Sequence, residues 1–200
     1  MTNANRQITF AARPTTWVGE EHFALQTNTI PTPGNGEMLV RNLYMSVDPY
    51  MRGMMNTGPS YAAALEIGDV LSCRVVGQVV TSNNPDFVAG DFLFGMLRWE
   101  EYSIACGHED LRKINPDLAP ISWHLGVLGA PGLTAWVGMM ELGQPKAGET
   151  VFVSAASGAV GQIAVQLARL HGARVVGSAG SDAKLAYVLD QCRYDAGFNY

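Results

Sequence analysis

Val151-Phe152-Val153-Ser154-Ala155-Ala156-Ser157-Gly158-Ala159-Val160-Gly161-Gln162 is the stretch on which the fold of this chain turns. It opens as a short apolar run of the kind buried within a parallel sheet. Small residues follow, and then apolar residues at helical spacing: Val160, Ile163, Ala164, Leu167, Ala168 and Leu170. Small residues let a backbone turn sharply and come close to a pyrophosphate. The N–H groups of the helix start then face the phosphates, helped by a dipole charge of roughly +0.5. A dinucleotide site is therefore expected over Ala155, Ala156, Ser157, Gly158, Ala159, Val160 and Gly161, with Gly161 letting the helix pack close to the sheet. The match to G-x-G-x-x-G departs at Ala156, where the first glycine would stand. The flanking strand and helix favour this reading over an ordinary tight strand–helix turn.

Downstream, Gly172 closes the helix and 173–177 reads as a second strand. Ser181 or Asp182 can cap a second helix running to about Gln191. Residues 196–200 begin a third strand. Strand–helix–strand–helix–strand is the first half of a doubly wound nucleotide-binding domain. The end of the second strand bears on the choice of cofactor. Gly177-Ser178-Ala179-Gly180-Ser181 holds no acid to grip a ribose 2′-hydroxyl or repel a 2′-phosphate. Asp182 stands next and reads as a cap. Lys184 could pair with a 2′-phosphate, although spacing alone favours a solvated surface lysine.

Upstream, the pattern differs. Up to about Pro120 the chain is punctuated by Gly and Pro, with candidate strands at 7–11, 23–26, 37–46, 70–80, 92–97 and 100–104. Short strands separated by turn signals predict a small antiparallel barrel or sandwich. Two short helices, 122–128 and 131–142, join the halves. Pro131 suits a first helical turn, and Gly143 suits the left-handed position past a helix end.

Composition bounds the rest. The 200 residues are 48% hydrophobic and 16% charged, so packed cores are expected. A net charge of −5 with scattered Lys and Arg argues against nucleic acid or an anionic membrane as partner. No apolar run reaches membrane-spanning length, and the first ten residues do not read as a signal peptide. Cys73, Cys106 and Cys192 are too few for a disulfide scaffold, which points to a reducing, cytoplasmic setting.

Several separated motifs also resemble a known family. Gly132-Leu133-Thr134-Ala135-Trp136, the segment 143–150 and the turn itself look like the medium-chain dehydrogenase/reductase superfamily. Ser46-Val47-Asp48-Pro49-Tyr50-Met51-Arg52-Gly53-Met54, Trp99-Glu100-Glu101-Tyr102, the segment 176–181 and Phe198-Asn199-Tyr200 narrow it further. These resemble the branch containing prostaglandin reductase, alkenal double-bond reductases and curcumin reductase. The resemblance implies a fold of class α/β plus β: a GroES-like antiparallel β-barrel over 1–125, then the first half of a Rossmann sheet over 126–200. It implies NADP(H) as cofactor and hydride transfer to the β-carbon of an α,β-unsaturated aldehyde or ketone. By motif, residues 155–161 would hold the pyrophosphate and Lys184 and Tyr200 the 2′-phosphate. Thr134 would lie near the nicotinamide, and Tyr50 and Tyr61 would line the substrate pocket. A homodimer is expected of the full-length protein.

There are departures. Trp136 stands where the family usually has Tyr, and the segment between Lys184 and Tyr200 is one residue longer than usual. Family members also continue through the second half of the Rossmann sheet. A chain stopping at Tyr200 is therefore expected to be truncated, inactive and poorly soluble. A quinone reductase of the same superfamily and a non-catalytic fragment are the alternatives. Without the resemblance, Tyr50 and Tyr61 would be ordinary core aromatics. The methionines around Tyr50 suit a greasy pocket or a core equally well.

No metal is expected. Gly107-His108-Glu109 imitates a zinc element but follows the wrong strand, and no Cys stands in 47–52. His22, His124 and His171 have no sequence partner that makes them ligands or bases.

Overall fold

The structure, a computed structural model, describes residues 4–58, 63–108 and 110–200. Packing divides the chain into two compact units, Met1–Leu125 and Gly126–Tyr200.

The first unit is antiparallel β. Strands β1 (Ala4–Phe10) and β2 (Phe23–Thr29) form a hairpin in register from Ala4↔Thr29 to Phe10↔Phe23. Next come β3 (Met38–Met45), the one-turn helix α1 (Tyr50–Met54), β4 (Ser72–Ser82), β5 (Phe92–Arg98), β6 (Tyr102–Ala105) and β7 (Arg112–Ile114). These strands make a five-stranded sheet in the order β6-β3-β4-β5-β7. β1 closes it: Ile8 N–H donates to Trp99 C=O at 2.8 Å, and Leu71 N–H to Ile8 C=O at 3.2 Å.

The closed sheet encloses a core built from alternate strand residues, as period-2 patterning requires. Phe10, Met38, Val40, Leu71, Val75 and Leu93 have no more than 1% of their surface exposed. α1 covers this core with Met51, Met54 and the half-buried Tyr50.

A polar knot sits where β1 meets the sheet. The Glu100 carboxylate, 6% exposed, accepts from Asn5 Nδ2 at 3.3 Å, from Ser103 Oγ at 2.8 Å and from Gln7 Nε2. Asn5 also donates to Tyr102 C=O at 2.8 Å and accepts from Tyr102 N–H at 2.9 Å. A buried carboxylate is tolerable only when donors surround it in this way.

The second unit is parallel α/β. It contains α2 (Ala130–Trp136), β8 (Thr150–Val153), α3 (Ala159–Leu170), β9 (Arg174–Ala179), α4 (Asp182–Asp190) and β10 (Ala196–Asn199). The sheet order is β10-β9-β8, with Phe152↔Val176 and Phe198↔Ser178 in register. One face is covered: Val165, Ala168 and Val188 from the helices pack on Val151, Val153 and Val175. On the other, the Phe152 and Phe198 rings stack at 6.0 Å and stay 57% and 49% exposed.

Local chemistry corrects several sequence expectations. The expected helix over 131–142 begins with Pro131 in its first turn, but from Val137 to Gly143 it widens into π-helix. The left-handed cap is then Gln144 (φ 44, ψ 55) rather than Gly143, because the wider turn delays termination by one residue. The 122–128 helix is a 3-10 segment, Ile121–Leu125. The cap of α4 is Ser181, whose hydroxyl accepts from Lys184 N–H at 3.3 Å. Asp182 is not a cap; it accepts from Asn199 Nδ2 at 2.7 Å. Among the described residues no helix is long and apolar enough to cross a membrane.

Candidate functional site

The turn between β8 and α3 is held by backbone bonds on both sides. Ala156 N–H donates to Ser178 C=O at 2.9 Å, tying the turn to the end of β9. Gly158 N–H donates to Ala155 C=O at 2.8 Å, closing the bend. Ala155 adopts φ 48, a left-handed conformation that costs an L-residue roughly 1–2 kcal/mol. Gly158 is the extended N-cap of α3 and carries no side chain to compete for the helix start.

Close approach explains two of the glycines. A Cβ on Gly161 would lie 2.7 Å from Ala156 C=O and 2.9 Å from Ala155 C=O, so α3 rests directly on the turn. The turn itself meets the sheet at Gly177, where a Cβ would meet Ala156 Cβ at 2.7 Å and Tyr194 Cε1 at 2.8 Å. Tyr194 locks this arrangement by donating its buried hydroxyl to Gly161 C=O at 2.9 Å. Burial, and then the neighbouring Cys192, push the Tyr194 phenol well above its ordinary range, so it stays a neutral donor.

With these bonds made, the N–H groups of Ala159, Val160 and Gly161 have no acceptor among the described residues. They are first-turn donors of a twelve-residue helix, and such groups attract anions.

The second half of the candidate site is the β9–α4 connection. Gly180 lies against Tyr200: a Cβ there would be 3.5 Å from the Tyr200 hydroxyl. Tyr200 N–H donates to Ala179 C=O at 3.3 Å, while its side chain is 77% exposed. Lys184 is exposed in the first turn of α4 and forms no ion pair among the described residues. One acid stands at this connection, Asp182, and its carboxylate is engaged by Asn199. The structure thus brings residues 155–161 together with Ser178, and Gly180 together with Tyr200. Thr134 is exposed on α2, which packs on α3. Gly132 on that helix is enforced, because a Cβ there would run into Val127 C=O at 1.8 Å.

Gln162 and Tyr194, both joined to the turn, escaped the sequence reading. Gln162 donates Nε2 to Ser157 C=O at 2.8 Å and accepts from the Tyr187 hydroxyl at 2.9 Å. The signal was available, since Gln162 directly follows the last glycine, but a side chain doubling back five residues is not a periodic feature.

The other expected site residues fall in the first unit. Tyr50 begins α1 and packs against the core. Tyr61 lies outside the described residues, as does Glu109 of the Gly-His-Glu element. Cys73, beneath α1, is buried and its thiol is pushed up to about 12, chiefly by burial, so it is no nucleophile. His22 accepts from Gly19 N–H at 3.0 Å, and His171 Nδ1 sits 2.9 Å from Leu167 C=O. His124 tilts against Phe94, and burial followed by the Arg112 charge holds its pKa down. Among the described residues no three His, Cys, Asp or Glu side chains gather in a group that could hold a metal ion.

Known proteins match this arrangement. Residues 6–114 fit a family model described as the N-terminal domain of oxidoreductase. The NADPH-dependent curcumin reductase of Escherichia coli is 43% identical over 191 residues, which is 96% of this chain and 55% of that protein. The NADP-dependent 2-alkenal reductase of Nicotiana tabacum is 41% identical over 201 residues, covering 98% and 59% of the two chains. The crystal structure of CurA from Vibrio vulnificus in complex with NADPH superimposes with a TM-score of 0.90 at 40% identity, over 98% of this chain and 58% of that one. The chain thus spans a little over half the length of the relatives it matches.

Proposed function

The chain belongs to the medium-chain dehydrogenase/reductase superfamily, and from that premise we propose that it carries the NADPH site and part of the substrate pocket of an enone reductase. Its antiparallel and parallel sheets are the GroES-like and initial Rossmann strands of that superfamily.

The observation that carries the reading is the set of free donors at Ala159, Val160 and Gly161 above a turn of small residues. That is the chemistry a pyrophosphate needs. The fit extends to the β9–α4 connection, where Lys184 forms no ion pair among the described residues and the neighbouring acid accepts from Asn199. A 2′-phosphate gains a cation there. Tyr200, beside Gly180, closes the far side of that position.

When bound, NADPH supplies the hydride for the β-carbon of an α,β-unsaturated aldehyde or ketone. This chain's residues bind and orient: residues 155–161 take the pyrophosphate, Lys184 and Tyr200 the 2′-phosphate, and Thr134 faces the nicotinamide end. Tyr50 and, by its motif, Tyr61 are assigned to the pocket, where a phenol O–H can stabilise charge developing on the carbonyl oxygen. The reading assigns no role to zinc.

Titrating the full-length protein with NADPH and NADH, and assaying a simple 2-alkenal, tests it. NADPH should bind more tightly, and Lys184→Ala should weaken NADPH about 10-fold while leaving NADH unchanged. Equal affinity for the two cofactors, or no effect of Lys184→Ala, would remove the 2′-phosphate assignment. Turnover of quinones but not of the alkenal would move the enzyme to the quinone reductases. Activity lost on chelation, with one zinc per chain, would overturn the metal-free reading.

A further inference from the structure

Gln162 lies just outside the pyrophosphate turn, yet its side chain is bonded at both ends. Nε2 donates to Ser157 C=O at 2.8 Å, and Oε1 accepts from the Tyr187 hydroxyl at 2.9 Å. The first bond acts on the peptide unit joining Ser157 to Gly158. That unit's N–H is already committed to Ala155 C=O at 2.8 Å. Gln162 takes the other end, so the plane of this peptide is fixed from both sides. The next three N–H groups along the chain are the free donors of Ala159, Val160 and Gly161. Their direction depends on the peptide that precedes them.

The second bond reaches across to α4. Tyr187 stands three residues after Lys184, on the same side of that helix. Its hydroxyl also lies beside the Cys192 thiol, which places a further group behind it. The line Tyr187–Gln162–Ser157 therefore spans the two helices that follow β8 and β9. One end fixes the turn read as the pyrophosphate site, and the other fixes the helix bearing the lysine read as the 2′-phosphate site.

We propose that Gln162, steadied by Tyr187, is a positioning residue that sets the spacing between these two phosphate subsites and so contributes to the preference for NADPH over NADH. The inference rests on the reading of residues 155–161 and Lys184 as an NADPH site. Gln162 touches no reacting atom. It holds the donors in register with the lysine, so that both phosphates of one cofactor are met at once. A cofactor lacking the 2′-phosphate uses only one end of the arrangement and loses less when it loosens.

The test uses the full-length protein with NADPH and NADH as probes, measuring both dissociation constants and the melting temperature. Gln162→Leu should raise the dissociation constant for NADPH about 10-fold and that for NADH less, because two hydrogen bonds are removed. Tyr187→Phe keeps the bond to Ser157 and frees only the link to α4. It should weaken NADPH about 3-fold with NADH unchanged and the melting temperature near that of the unsubstituted protein. A NADPH-to-NADH ratio unmoved by both substitutions would overturn the proposal, as would equal losses for the two cofactors. An unsubstituted protein with no preference for NADPH would overturn the cofactor reading beneath it as well. A preference left unchanged by both substitutions overturns the positioning role alone.

Discussion

The turn at Ala155–Gly161 and the helix Tyr50–Met54 are both short and both assigned to ligand binding, but they are made in opposite ways. The turn works through its backbone: small side chains, a left-handed alanine and three N–H groups left without acceptors. The helix offers side chains, Tyr50, Met51 and Met54, which pack the core beneath it. A backbone site tolerates almost no added volume, whereas a side-chain site tolerates a change of shape better than a change of chemistry. The difference should show when each region is substituted.

The largest effect is expected at Gly161. Gly161→Val places its Cβ against two carbonyl oxygens of the turn, so α3 must move. NADPH affinity should fall by about 100-fold or more in a calorimetric titration, the equivalent of roughly 3 kcal/mol of overpacking. Retained affinity would mean that the turn is more pliant than its backbone geometry implies.

The polar knot of the first unit separates stability from binding. Glu100→Leu strands the Asn5, Gln7 and Ser103 donors in a buried place and should cost about 2–4 kcal/mol in a urea titration. NADPH affinity should not change, because the knot and the turn share no residue. A parallel loss of both would erase the contrast.

Tyr50→Phe sharpens the contrast from the other side. It should lower kcat/KM for a 2-alkenal about 10-fold or more and leave NADPH affinity alone, as loss of a pocket donor does. Unchanged turnover would make Tyr50 a core residue only. The smallest effect is expected at the cap of α4: Ser181→Ala should destabilise by about 1 kcal/mol, read as a shift in the urea midpoint.

The strands were largely legible because alternation and turn residues mark them. The reading 92–97 became Phe92–Arg98, and the helix expected to close at Gly172 runs over Ala159–Leu170. Arg112–Ile114 was missed because three residues, two of them cationic, carry no period. The helix Tyr50–Met54 was missed for a related reason: one turn, following Pro49 and containing Gly53, is too short for a helical stripe. The π-turn and its left-handed Gln144 were not legible, because no residue type announces them. The turn itself was legible because its chemistry lies in the backbone, and small residues between a strand and a helix reveal that. Gln162 and Tyr194 were not, since their partners lie five and thirty-three residues away.

The bond from Asn5 to Glu100 spans 95 residues of chain, and that has a consequence in time. At a translation rate of about 5–20 residues per second, β1 waits on the order of 10 seconds after it is made before its buried carboxylate partner exists. Until residues 68–71 emerge β1 has only β2 to pair with, and an isolated two-stranded hairpin is marginal in water. β8, β9 and β10, by contrast, follow one another within 50 residues. In a nascent chain β1 therefore waits longer for its buried carboxylate partner than β8 waits for β9 and β10.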